Sequence, residues 1–134
     1  MIQVGTIQQL WRHPIKGVAG EQLESSAIGP DGIDGDRVWA LWDIEREEIQ
    51  SCKYRPALLR CRATLRPDRQ VDVVFPDGSR VGSDDAAIHH KFSELVGHPS
   101  RLEQLRSEAA PDFFRRYKAE GHDWRQELAE TVTR

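Results

Sequence analysis

No stretch of this sequence approaches the roughly 18 consecutive apolar residues that a membrane-crossing helix requires, so no such helix is expected. The opening Met1-Ile2-Gln3-Val4-Gly5-Thr6 has neither the basic n-region nor the apolar h-region of a secretory leader. A cytoplasmic protein is expected. Basic excess is missing too: 19 Lys and Arg stand against 22 Asp and Glu, a formal charge of −3. Nothing in that balance drives sequence-independent attraction to phosphate backbones, so nucleic acid is not an expected partner. Cysteine is scarce. Cys52 and Cys61 are the two in the chain, and in a reducing compartment both are read as free thiols. There is no Gly-x-Ser-x-Gly elbow, no phosphate-loop glycine pattern and no cysteine with a positioned partner. No catalytic residue is assigned, and a free-standing enzyme is not expected.

What remains is one domain's worth of chain, 134 residues with 38% apolar and 31% charged side chains. Runs such as Val71-Asp72-Val73-Val74-Phe75 need a core to pack into. The first two-thirds reads as short strands. Val4 to Trp11 forms a β-leaning opening that stops at His13-Pro14, and Glu21 to Ile28 is a second candidate. The loop from Gly29 to Asp36 holds three glycines and three aspartates and suits positive-φ positions. Arg37 to Trp42 continues as a strand, Asp43 to Glu48 is a hairpin tip, and Ile49 to Lys53 returns. Leu58 to Leu65 alternates apolar and basic residues, the mark of a strand with one wet face. Pro76-Asp77-Gly78-Ser79 is a hairpin signal between Val71–Phe75 and Arg80-Val81. Trp39 and Trp42, three apart, should face opposite sides of their strand.

Periodicity changes after Ser83, which is placed as a helix cap. Ile88, Phe92, Leu95 and Val96 share one helical face, and Gly97 fits the stop. Ser100 to Leu105 returns as a strand. A helical tail then carries Phe113, Phe114, Tyr117, Trp124, Leu128 and Val132. The expected fold is mainly β: a small β-barrel of short antiparallel strands over residues 1–105, with one packed helix. Residues 106–134 form a helical C-terminal tail that packs on the barrel or on a partner.

Four pieces occur in one order: His13-Pro14-Ile15-Lys16-Gly17, Gly20-Glu21-Gln22-Leu23, Gly32-Ile33-Asp34-Gly35-Asp36-Arg37, and Gln50-Ser51-Cys52-Lys53 followed by Pro56-Ala57-Leu58-Leu59. Over about residues 2 to 105 this set resembles the N-terminal β-barrel domain of MOSC proteins, named for the C-terminal domain of molybdenum cofactor sulfurase and including amidoxime-reducing oxidoreductases. The family pattern is Tyr-Pro-Val-Lys-Ser, then Gly-Leu-x-Gly-Asp-Arg, then Thr/Ser-x-Arg/Lys before a proline. Here His13 replaces the tyrosine and Gly17 the serine. The resemblance implies that Lys16 and Arg37 face the anionic end of a molybdopterin-type cofactor, with Gly17, Ser51 and Lys53 on the cofactor side. The family's molybdenum-binding cysteine belongs to a second domain, and neither Cys52 nor Cys61 sits in its context. No cofactor and no metal are therefore expected on the isolated chain, and His89, His90 and His98 lack a ligand pattern, since adjacent helical residues diverge by about 100°.

Each site residue also has a plainer reading. Arg37 can pair with Asp34 or Asp36 to close its loop, Lys16 can be solvated, and Ser51 and Lys53 can sit on a solvated hairpin strand. The histidines of the helix read as surface residues. Two functions compete: an accessory module for a molybdopterin-type protein, working with a separate catalytic MOSC-type domain, and a non-enzymatic interaction or self-associating domain. In the family this barrel packs against its partner domain, so one face is built to be covered. Exposed apolar patches above a few hundred Å² tend to find cover, either under the tail or in a homodimer. A homodimer is expected. Sedimentation at micromolar concentration checks this, and a clean 15.3 kDa species that persists on concentrating rules the stable dimer out.

Overall fold

A computed structural model describes residues 1–105 together with Arg125, Leu128, Ala129 and Val132. Among the described residues the strands pair into four small antiparallel sheets. β1 (Leu10–Arg12) pairs with β2 (Glu21–Leu23), which sets Arg12 opposite Glu21, and their side chains form an ion pair at 2.7 Å. β3 (Ile28–Gly29) and β4 (Gly32–Ile33) make a tight hairpin. β5 (Trp39–Asp43) is flanked by β6 (Glu48–Ile49) and β10 (Ser100–Gln104), with Leu41 opposite Leu102. β7 (Arg62–Leu65), β8 (Val71–Val74) and β9 (Arg80–Gly82) form a meander.

The segment between β1 and β2 joins two of these sheets. Ile15 bridges Trp39 in parallel and Ala19 bridges Arg62 in parallel. Residues 13–20 thus lie between β5 and β7. On the other side, helix α1 (Ala87–Val96) packs against both β9 and β10. The core fills the space between: Ile15, Leu41, Leu58, Val73, Ile88 and Phe92 are wholly buried. The mainly β fold with short antiparallel strands and one packed helix is the one the sequence predicts. No helix among the described residues is long and apolar enough to cross a membrane.

Several boundaries differ from the sequence reading. Val4 to Gln9 is exposed and outside any strand, so the opening strand begins at Leu10. The Glu21–Ile28 candidate breaks after Leu23. The Leu58–Leu65 candidate begins instead as a 3-10 turn, Pro56–Arg60, with a proline in its first turn. That turn buries Leu58 but exposes both Leu59 and Arg60, which breaks strand alternation; the alternation begins at Cys61 and runs into β7. Ser83 does not cap α1. Its hydroxyl accepts the Val71 N–H, and the Asp85 carboxylate takes the Ala87 N–H instead. Gly97 does end the helix, in the left-handed region at φ 73°. Trp39 is buried and Trp42 half-buried, as opposite faces of a strand require. His89 is no surface histidine: it is half-buried and its Nδ1 accepts the Leu102 N–H at 3.1 Å, tying α1 to β10. Leu128 and Val132 are helical and exposed; Phe113, Phe114, Tyr117 and Trp124 lie outside the described residues.

Phe92 meets Phe75 edge-on at 5.0 Å between ring centres. Truncating a buried aromatic removes its transfer energy and leaves a cavity, at a cost of about 3–5 kcal/mol. Phe92→Ala is therefore expected to lower unfolding stability by that order in urea. A loss below about 1 kcal/mol would contradict the assignment of α1 to the core.

Candidate functional site

Residues 13–20 and the Gly32–Arg37 loop are tied together residue by residue. The Arg37 N–H donates to the His13 carbonyl at 2.7 Å, and the His13 N–H donates to Asp36 Oδ1 at 2.7 Å. Next, the Trp39 N–H donates to the Pro14 carbonyl and the Lys16 N–H to the Trp39 carbonyl. The loop manages this tight path with left-handed backbone at Gly32, Gly35 and, less usually, Arg37 at φ 52°. A non-glycine residue there costs about 1–2 kcal/mol, and the paired hydrogen bonds to His13 hold it in place. Gly17 is also left-handed, and a Cβ on it would stand 2.9 Å from the Cys52 backbone nitrogen. Glycine at 17, where the resembled pattern has serine, thus lets this chain segment pass close beside Cys52.

These pieces surround a cleft of about 660 Å³. Its wall includes Trp11, Val18, Ile33 and Leu59, which are apolar, and His13, Asp36, Arg37 and Arg62, which are polar. Of the five site residues predicted from sequence, Gly17 and Arg37 line it. Lys16 adjoins Gly17 in the chain, and Ser51 and Lys53 flank Cys52, itself a lining residue. Ser51 to Lys53 is a turn rather than the end of a returning strand: the Tyr54 and Arg55 N–H groups both donate to the Ser51 carbonyl. Lys53 places its ammonium 5.4 Å from the Tyr54 ring centre.

Arg37 pairs with Asp36, as its plainer reading has it, and also lines the cleft. Its Nε and Nη2 both reach Asp36 Oδ2 at 2.7 Å, yet the side chain is 68% exposed. A guanidinium has five N–H donors in a rigid fork, and this contact leaves about three of them for another anion. Arg62 was missed by the sequence reading of functional residues. It is an exposed cation on the same wall with no ion-pair partner among the described residues. Its only signal was the basic position in the alternation of β7. Lys16 likewise has no ion-pair partner among the described residues. Two guanidinium groups over an apolar wall can hold a small anion joined to an apolar or aromatic body.

The model of the MOSC N-terminal beta barrel domain matches residues 4–118. The chain belongs to this family. No curated protein matches it. Within this MOSC N-terminal fold, Asp36 and Arg37 end the Gly32–Arg37 motif, and the hydrogen bonds above give that motif its physical content. The other two family segments, His13–Gly17 and Gln50–Lys53, meet it at the cleft.

His13 Nδ1 lies 3.3 Å from the Val18 carbonyl, which makes that nitrogen a donor, and no hydrogen bond joins His13 to Cys52 among the described residues. Among the described residues no three His, Cys, Asp or Glu side chains converge as metal ligands would. Cys61 is buried in the core, and burial pushes its thiol from 9.0 up to about 11, with Arg60 pulling weakly the other way. The folded state therefore holds this proton more tightly than the unfolded one. The resulting stabilisation is complete below about pH 9 and fades as pH rises towards 11. In the folded chain at neutral pH, iodoacetamide should modify Cys52 and spare Cys61, with Cys61 reacting after unfolding. Equal labelling of both in the native chain would refute this burial-based difference.

Proposed function

We propose that this chain is an accessory module of the MOSC type. It presents Arg37, with Lys16 and Arg62 nearby, to the anionic end of a molybdopterin-type cofactor shared with a separate catalytic MOSC-type domain, in the cytoplasm. The observation that carries this reading is the half-used Arg37 guanidinium, fixed by Asp36 and facing the cleft. Its residual N–H donors and Arg62, which has no ion-pair partner among the described residues, suit a phosphate, which a planar fork recognises in two places at once. Gly17 adds a backbone with no side chain in the way, and the apolar wall of Trp11, Ile33 and Leu59 suits a flat ring system. Bound there, the group would supply its own redox chemistry; the residues of this chain bind and orient it. Ser51 and Lys53 complete the proposed cofactor side through the turn that carries Cys52.

The competing reading, an interaction or self-association surface, draws on the same cleft: Trp11 and Leu59 are exposed apolar side chains on its rim. Titrating the labelled full chain with a phosphorylated pterin, and with the same pterin lacking its phosphate, separates them. The module predicts amide shifts centred on Gly17 and Arg37 that require the phosphate. Removing a charge-assisted hydrogen bond costs about 1.5–3 kcal/mol, so Arg37→Gln should weaken binding by about ten- to a hundred-fold while keeping the same fold by NMR. Shifts that depend on protein concentration and ignore the ligand would favour self-association.

A further inference from the structure

Away from the cleft, the fold buries three polar side chains together. Asp43 ends β5 and is 1% exposed, Gln50 follows β6 at 4%, and Arg55 precedes the 3-10 turn at 7%. Each has an atom with no hydrogen-bond partner among the described residues: Asp43 Oδ2, Gln50 Oε1 and Arg55 Nε. Other polar atoms of the same residues are engaged. Asp43 Oδ1 accepts the Glu45 and Arg46 N–H groups. Arg55 Nη1 donates to the Tyr54 carbonyl. The Arg55 Nη2 to Asp43 Oδ2 separation is 3.6 Å, an ion pair too long for a hydrogen bond.

The orientation of the Gln50 amide follows from its neighbour. Ser100 Oγ spends its proton on the His98 carbonyl at 2.8 Å, so it must accept from Gln50 Nε2 at 2.6 Å. The amide oxygen is thereby turned the other way. All three residues line one small cavity of about 10 Å³. That is close to the least volume that admits a water molecule.

We propose that this cavity is a binding site for one structural water. The complement of two orphaned acceptors and one orphaned donor is a group that donates twice and accepts once, and water does so. A halide would face two acceptors, and a metal cation would face the Arg55 guanidinium. The water donates to Asp43 Oδ2 and Gln50 Oε1 and accepts from Arg55 Nε. It joins the sheet of β5, β6 and β10 to the Ser51–Arg55 turn. That turn carries Cys52 against Gly17, so the site positions one wall of the cleft whether or not the cleft binds a cofactor. Arg55 is a positioning residue here.

A crystal structure of the full chain that resolves ordered water should show one peak within hydrogen-bond distance of all three atoms. In solution, the Arg55 Nε–H should give an NMR cross-peak to a long-lived bound water. Gln50→Leu removes one of the two acceptors and should abolish that cross-peak and shift the Cys52 and Gly17 amides. The proposal is overturned if Arg55 Nε bonds Asp43 or Gln50 directly, if an ion occupies the cavity, or if the cross-peak is unchanged in Gln50→Leu.

Discussion

The backbone of residues 13–20 is the constraint on which the rest of this structure depends. It is not one of the paired strands, yet it meets β5 at Trp39 and β7 at Arg62 through two parallel bridges. Short strands of two to five residues give little stability in isolated pairs. They become a wall because this segment ties two of the sheets and because α1 packs on the edges of β9 and β10. The path demands close approaches. A Cβ on Gly20 would stand 2.1 Å from the Arg12 carbonyl oxygen, so glycine is needed there for crossing β1 rather than for admitting a ligand. The candidate site and the fold therefore draw on one stretch of chain. The residues that line the cleft are next to those that hold two sheets together.

The same segment explains what was legible in the sequence. The Gly32–Arg37 loop carries its conformation in its residue types, since glycines at positive φ and short aspartates that bond nearby backbone act over a few residues. Asp77-Gly78 and the Gly97 stop are local in the same sense. Trp39 and Trp42 obeyed the period of two. The buried contact of His89 with Leu102 was not readable, because an acceptor for a strand N–H 13 residues away leaves no periodic trace. The 3-10 turn at Pro56–Arg60 was misread for a related reason. The apolar–basic alternation lies in Arg60-Cys61-Arg62-Ala63 and runs on into β7, while Leu58-Leu59 does not alternate, and Pro56 in the first turn was the signal to the contrary. Arg62 and Arg55 illustrate the limit at the site itself. Both are arginines in arginine-rich stretches, and one ends on an open wall while the other is sealed inside. Tertiary packing alone separates them.

Asp36 fixes a backbone corner and an arginine with one side chain. One carboxylate oxygen accepts the His13 N–H and fixes the two motif segments against each other; the other holds Arg37 by two N–H groups. With one oxygen committed to the His13 N–H, Nε and Nη2 of Arg37 share the other, and about three of the five guanidinium N–H donors are not used by this pair. The left-handed φ of Arg37 turns the residue out of the strand that begins at Trp39. Such strain persists where surrounding bonds over-determine it, and here four donor–acceptor contacts do so. A lysine at 37 would keep the charge, lose the fork, and deprive Asp36 Oδ2 of its paired N–H donors while Oδ1 keeps the His13 N–H. The Asp-Arg order of the motif is thus accounted for by geometry: the acid builds the corner, and the base, held on one side, presents its other side outward.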